Sequence, residues 1–276
     1  MLAAILGLAV GLILGLTGAG GSVIAVPLLI WGMGWTLPQA VPVALLAVSA
    51  AAIFGTATVW PQGIVRYRAA LMMSAAGMLT APLGLAAAQI LPLPLLNVGF
   101  ALILLVVSLR MLYAARKSPD ETRVVRAGLR DQREAPGEPV CKVNPDTGRL
   151  LWTRPCALAI TGGGLATGFL SGLLGVGGGF VIVPILRAAT DLSFHSAVAT
   201  SLMAIALTSA GTVLMALAQG GNLPLLVALP FVLGALAGML AGRLTANRLA
   251  GPRLQTGFAS VMLVVCLGML WSAIPH

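Results

Sequence analysis

"GLTGAGGSVIAVP", residues 15–27, returns as "GLLGVGGGFVIVP", residues 172–184, and the interval of 157 residues (172 − 15) between the copies organises the whole chain. At that shift Gly15, Gly18, Gly20, Gly21 and Pro27 fall on Gly172, Gly175, Gly177, Gly178 and Pro184. The register continues through Ala40/Ala197, Val41/Val198, Leu45/Leu202, Gln62/Gln219 and Gly77/Gly234. One added residue then sets Gly99–Phe100 on Gly257–Phe258. A single offset sustained this far reads as a duplicated unit, not as chance agreement among small apolar residues.

Composition says what solvent the duplicated unit lives in. Of 276 residues, 59% are hydrophobic and 8% charged, against roughly 45–50% and about 25% in soluble domains. Outside residues 115–154 the only acidic residue is Asp191, so the chain lacks the charged shell that a soluble core of this length requires. This is the composition of an integral membrane protein. The net charge of +9 does not indicate nucleic acid, because there is almost no soluble surface to carry a basic face. Cys141, Cys156 and Cys266 are widely spaced, form no CxxC, and have only His195 and His276 as companions, which argues against a disulfide scaffold and a zinc site. The apolar start at Met1 reads as a retained segment, not a signal peptide. With no paired carboxylates, GxSxG or HExxH, enzyme chemistry has no constellation to work from, and no cofactor is expected.

Apolar runs fall at 2–16, 20–35, 38–60, 69–91 and 94–114, then at 155–174, 177–190, 196–219, 223–247 and 254–273. The last three of each set can span a hydrocarbon core, which takes about 20 residues. The first two of each set are read as short, roughly fifteen residues or about 22 Å at 1.5 Å per residue, less than the ~30 Å core. They fit half-helices that dip in and turn back, or two tight crossings. The fold class expected is therefore all-α integral membrane, with two five-segment repeats, residues 1–114 and 155–276. The first two helices of each repeat are short and joined by a Gly-rich break. Residues 115–154 form the linker and hold nine Lys/Arg and six of the seven acidic residues. Within it "VCKVNPDTGRLLWT" sets two strand-like runs across an Asn-Pro-Asp-Thr-Gly turn, a candidate β-hairpin in a cytosolic connector.

Loop charge sets the expected orientation. Arg66 and Arg68, the basic linker, Arg187, and Arg243, Arg248 and Arg253 all land on one side if each repeat crosses an odd number of times, while the loops near 36, 92 and 221 carry no charge. Positive loops stay inside, so the linker is expected in the cytoplasm and both termini outside the inner membrane. Odd crossings also invert the repeats relative to each other, as in many secondary transporters.

The glycine phrase then acquires a chemical reading. Irregular backbone at membrane depth survives only where protein buries it or a wet cavity receives its polar groups. Each phrase leads into a short helix whose first N–H groups lack intrahelical partners and whose dipole favours negative charge. The candidate anion-binding set is Thr17, Gly18, Gly20, Gly21 and Ser22 in the first copy and Gly175, Gly177, Gly178 and Gly179 in the second. Thr200 and Ser201 from "VATSL" are added as hydroxyl donors. Gln39 and Asn97 are weaker candidates. The helices after the breaks are expected near Ser22 and Gly179, or later if Pro27 and Pro184 occupy a first turn. The Gly234/Gly238/Gly242 ladder reads as helix packing, and Asp191 with His195 as an interfacial pair. Outside the linker no Asp or Glu sits within an apolar run, which argues against cation transport.

"GLTGAGGSVIAVPLL" and "GLLGVGGGFVIVPIL", each opening a half, together with "HSAVATSL" and a basic central loop, resemble the sulfite exporter TauE/SafE family, also called the 4-toluene sulfonate uptake permeases. The resemblance covers nearly the whole chain except the linker. It implies a bacterial inner-membrane transporter of sulfur-containing or carboxylated anions, with the lipid bilayer and a small anion as partners and room for a coupling proton or ion and a homodimer. An anion channel and a non-transporting scaffold are the competing expectations. Where the second half reads "HSAVATSL" the first reads "PQAVPVAL", so Pro38, Val43 and Ala44 stand against His195, Thr200 and Ser201, and any binding by those side chains is one-sided.

Overall fold

A computed structural model of the chain describes residues 1–18, 21–92, 152–174, 178–190, 194–218 and 224–249, together with Cys141, Leu150, Leu192 and individual helical positions between 95 and 112 and between 260 and 268. Eight α-helices run through the continuous part: α1 Leu2–Thr17, α2 Gly21–Met33, α3 Leu37–Val59, α4 Tyr67–Ile90, α5 Arg154–Leu174, α6 Gly179–Ala189, α7 Phe194–Ala218 and α8 Leu225–Leu249. Among the described residues five stretches are long and apolar enough to cross a membrane: Gln39–Gln62, Tyr67–Ile90, Arg154–Leu174, Ser196–Ala218 and Leu225–Thr245. The protein is an all-α membrane protein.

One expectation about these helices changes. Helix α5 is a full 21 residues, not a short half-helix like the 16-residue α1. It carries Gly162, Gly163 and Gly164 without breaking, because the face of Gly164, Gly168 and Gly172 is packed against α4 and backbone approach compensates for weak helix propensity. The helices after the breaks start near Ser22 and Gly179 as expected, not later, so Pro27 and Pro184 do not occupy first turns. Helix α2 begins at Gly21 and α6 at Gly179, so both prolines lie in the helix body.

The helices pair across the two halves. Helix α1 lies along α8, with Gly7 against Phe231 and Ala235, Gly11 against Ala235, and Gly15 against Met239 and Gly242. The Gly234/Gly238/Gly242 ladder completes this seam against Ala4, Leu8 and Leu12, as a packing device should. Helix α5 lies along α4 in the same sense, with Gly164 at Met73, Gly168 at Gly77 and Gly172 at Ala81. Any side chain at Gly168 would enter the Gly77 backbone, so this crossing requires glycine. The two seams are counterparts under the 157-residue shift. Helices α3 and α7 pair antiparallel, and the Ser49 hydroxyl donates to the Ala206 carbonyl at 3.0 Å, a contact between two residues separated by that same 157.

The two glycine phrases each close a helical hairpin. Gly21 at the start of α2 packs on Val10 and Leu14, and Gly32 near its end packs on Leu6, so α2 returns along α1. In the second half the Cys141 N–H donates to the Ala189 carbonyl at 2.8 Å, and Cys141 bridges Thr190 just after α6. Cys141 is also disulfide-bonded to Cys156 in the first turn of α5, with Cα atoms 4.9 Å apart. The end of α6 therefore sits beside the start of α5, and the pair enters and leaves on one face. This one bond corrects the reading that argued against a disulfide scaffold. Sequence spacing did not foresee it, because Cys141 is delivered by the backbone pairing with α6. The expected hairpin within 140–153 falls on residues outside those described, apart from Cys141, Leu150, Trp152 and Thr153.

These directions place the loop 60–66, the linker side of α5, the α6–α7 junction and the end of α8 at one face. Met1, the loop 34–36 and the start of α8 lie at the other. The chain reaches the first face with Arg66, Arg68, Arg154 and Arg243.

Candidate functional site

The breaks after α1 and before α6 are made by glycines that L-residues would not replace. Gly18 has φ +75 and closes α1 by donating its N–H to the Leu14 carbonyl at 2.8 Å. Gly178 has φ +65 at the N-cap of α6, a left-handed conformation that costs a residue with a Cβ about 1–2 kcal/mol. Its own carbonyl accepts from Val181 at 3.1 Å and Ile182 at 3.3 Å, which leaves the earlier N–H groups of α6 without helical acceptors.

The two breaks meet. A Cβ built on Gly179 would lie 3.4 Å from Ser22 Oγ and would collide with Ile205, so the start of α2 touches the start of α6. Helix α7 serves both breaks, with Val198 filling the space at Gly18 and Ile205 that at Gly179. Gly21, Ser22, Gly178 and Gly179 are buried, and Ser22 has no exposed surface. Gly20, Gly175 and Gly177 lie outside the described residues, as do the side chains of Asp191 and His195 and the whole of Asn97.

The hydroxyl candidates divide by where their protons go. Thr17 Oγ1 donates to Ile13 O at 2.8 Å and Ser201 Oγ to Val198 O at 2.8 Å, each on its own helix. Thr200 Oγ1, fully buried, accepts the Arg66 N–H at 3.0 Å, while Ser196 Oγ donates to Ile64 O at 2.6 Å. These two bonds pin the loop 63–66 to the first turns of α7. Gln39 acts as a cap, its Oε1 accepting the Thr36 N–H at 3.3 Å where α3 begins. A groove of about 450 Å³ between α3 and α7, lined by Ile53, Thr56, Ala57, Trp60, Pro61, Met203, Ala206 and Leu207, contains none of the hinge residues.

Three buried polar atoms among the described residues have no partner: Arg66 Nε, Ser171 Oγ and Ser209 Oγ. Ser209 is visible from the sequence only as one of several α7 hydroxyls, and Ser171 carries no signal there at all. The other described hydroxyls of α3, α7 and α8 show the contrast. Thr56 donates to Ala52, Thr208 to Ala204, Thr212 to Thr208 and Thr245 to Ala241, each at 2.8 Å.

Broken helices meeting inside a bundle of apolar spans define a multi-pass membrane protein. Residues 3–269 match the family model of the sulfite exporter TauE/SafE, and the chain belongs to that family. It is 30% identical over 266 residues to a "Probable membrane transporter protein" of Xylella fastidiosa (strain 9a5c), covering 95% of this chain and 91% of that one. It is 29% identical, with the same coverage, to a protein of the same description in Xylella fastidiosa (strain Temecula1 / ATCC 700964). No solved structure matches.

Proposed function

We propose that the protein is a secondary transporter that moves a small sulfur-containing anion, of the sulfite, sulfonate or sulfoacetate type, across the inner membrane by alternating access between inverted halves. The observation that supports this reading most directly is the contact of Ser22 with Gly179, which sets the starts of two broken helices against each other within the bundle. Helix starts attract anions through unpaired N–H groups and the macrodipole. The counterpart seams α1–α8 and α4–α5, and the Ser49–Ala206 bond on corresponding positions, support an inverted pair of halves. The name of the matched family supplies the sulfur-anion class. The arginines gathered on the linker side favour a cytoplasmic linker and outside termini.

A melting-temperature screen of detergent-solubilised protein against sulfite, thiosulfate, sulfonates and carboxylates tests the ligand class. Saturable uptake into proteoliposomes against the anion's own gradient distinguishes a coupled transporter from a channel. A protein that no oxyanion stabilises, or whose flux only follows the gradient without saturating, sinks the reading.

A further inference from the structure

We infer that the two unpartnered serines, Ser171 and Ser209, together with the first turn of α6, form a single subsite for an oxyanion headgroup, and that the first repeat has no equal of it. The inference rests on the anion-transport reading above and names the groups that would hold the anion.

Placement carries the argument. Helix α6 runs toward the linker face, since its end at Ala189–Thr190 is tied to Cys141. Its first N–H groups consequently point the other way, deeper into the bundle. On α5, Thr167 touches Gly178, with its carbonyl oxygen 2.8 Å and its Cβ 3.0 Å from a Cβ built there. Ser171 follows Thr167 by four residues, on the same face and one turn further from the linker side. On α7, Ile205 touches Gly179. Ser209 follows Ile205 by four residues, again on the same face and one turn deeper. Both serines thus sit one turn beyond the start of α6, at the level toward which its N–H groups point. Each is fully buried, and neither hydroxyl has a partner.

A helical serine that donates to nothing is the exception here. In hydrocarbon surroundings a buried hydroxyl ordinarily satisfies itself on the carbonyl three or four residues earlier, as Thr17, Thr56, Thr208 and Thr212 do. Leaving two such protons unused next to a helix start imposes a desolvation penalty that a bound anion would remove. An oxyanion with several acceptor atoms is the ligand that can take hydroxyl protons and backbone N–H groups together. A bare cation finds no acceptor charge in this set.

The repeat itself supplies a comparison. Under the 157-residue shift Thr167, Ser171 and Ser209 correspond to Val10, Leu14 and Ala52. The start of α2 rests on Val10 and Leu14, so the first hinge is lined by apolar groups where the second carries hydroxyls. The two halves therefore present one polar subsite, on the second hinge alone.

Ser171→Ala, Ser209→Ala and the double variant test this, with sulfate and methanesulfonate as probes and chloride at equal ionic strength as reference. Each single variant is expected to melt at or above the wild-type temperature without anion, because it removes an unpartnered buried hydroxyl. Each is also expected to need about ten-fold more sulfate for half-maximal stabilisation. Ser74→Ala is the control: it loses bonds of 2.7 Å to Ala70 O and 3.4 Å to Ala204 O, and should melt lower with its sulfate titration unchanged. Ser171→Leu copies the first repeat and should abolish the sulfate response while the protein still folds. Alanine and leucine variants that titrate like wild type overturn the subsite, as does a lowered melting temperature without anion in both alanine variants. If wild type itself responds to neither probe nor to sulfite, the anion-transport reading falls first.

Discussion

Replacing Gly178 with alanine isolates what the second hinge demands of its backbone. At φ +65 an L-residue pays about 1–2 kcal/mol for the left-handed conformation alone. The added Cβ would also lie 2.8 Å from the Thr167 carbonyl oxygen and 3.0 Å from Thr167 Cβ. That carbonyl belongs to α5 and cannot swing aside, so an overpacking cost of about 1–3 kcal/mol adds to the first. Gly63 provides the comparison within the same molecule: its φ is also +65, but nothing lies within 4 Å of a Cβ built on it. Gly63→Ala should cost about 1–2 kcal/mol and Gly178→Ala about 2–5 kcal/mol. At about 2–4 °C per kcal/mol for a chain of this size, the difference is several degrees. Thermal unfolding of the two variants in the same detergent reads it directly, and Gly178→Ala should also lose sulfite-dependent stabilisation because the first turn of α6 must shift. If the two variants melt at the same temperature, the tight approach of Gly178 to α5 is wrong, and with it the hinge geometry.

Two further outcomes follow from the packing between halves. Ser49→Ala removes the only hydrogen bond described between α3 and the α7 carbonyl at Ala206, and should lower stability by about 0.6 kcal/mol, with ~1.7 kcal/mol as a ceiling, as measured by unfolding in mixed micelles; a larger loss would mean that the α3–α7 pairing depends on this bond. The linker face poses a sharper question, since basic loops assign it to the cytoplasm while a Cys141–Cys156 disulfide belongs to an oxidising compartment. With the charge rule governing, acid-quenched cells treated with a maleimide–polyethylene glycol reagent under denaturing conditions should show both cysteines reduced, and purification in air should then close the bond. A pair found oxidised in intact cells would move that face to the outside and reverse the proposed orientation.

The sequence by itself determined the solvent and the architecture's raw plan. Residues such as Tyr67–Ile90 and Leu225–Thr245 are helical and apolar enough to span a membrane because transfer of apolar side chains and internal satisfaction of backbone hydrogen bonds are properties of each segment alone. The 157-residue repeat, the one-sided arginines and the glycine phrases were equally legible, since each is a pattern along the chain. Only the tertiary structure decided that α1 lies on α8 and α5 on α4, that α5 is a full-length helix, and that Ser22 meets Gly179. It also decided which hydroxyls are satisfied: Thr17 and Ser201 turn to their own helices, Thr200 holds the loop at Arg66, and Ser171 and Ser209 are left without partners. The physical reason is range. Hydropathy and turn geometry are set within a few residues, whereas a cross-helix contact such as Ser49–Ala206 or Arg66–Thr200 depends on how closely two backbones more than a hundred residues apart can approach, and small residues permit that approach without naming the partner.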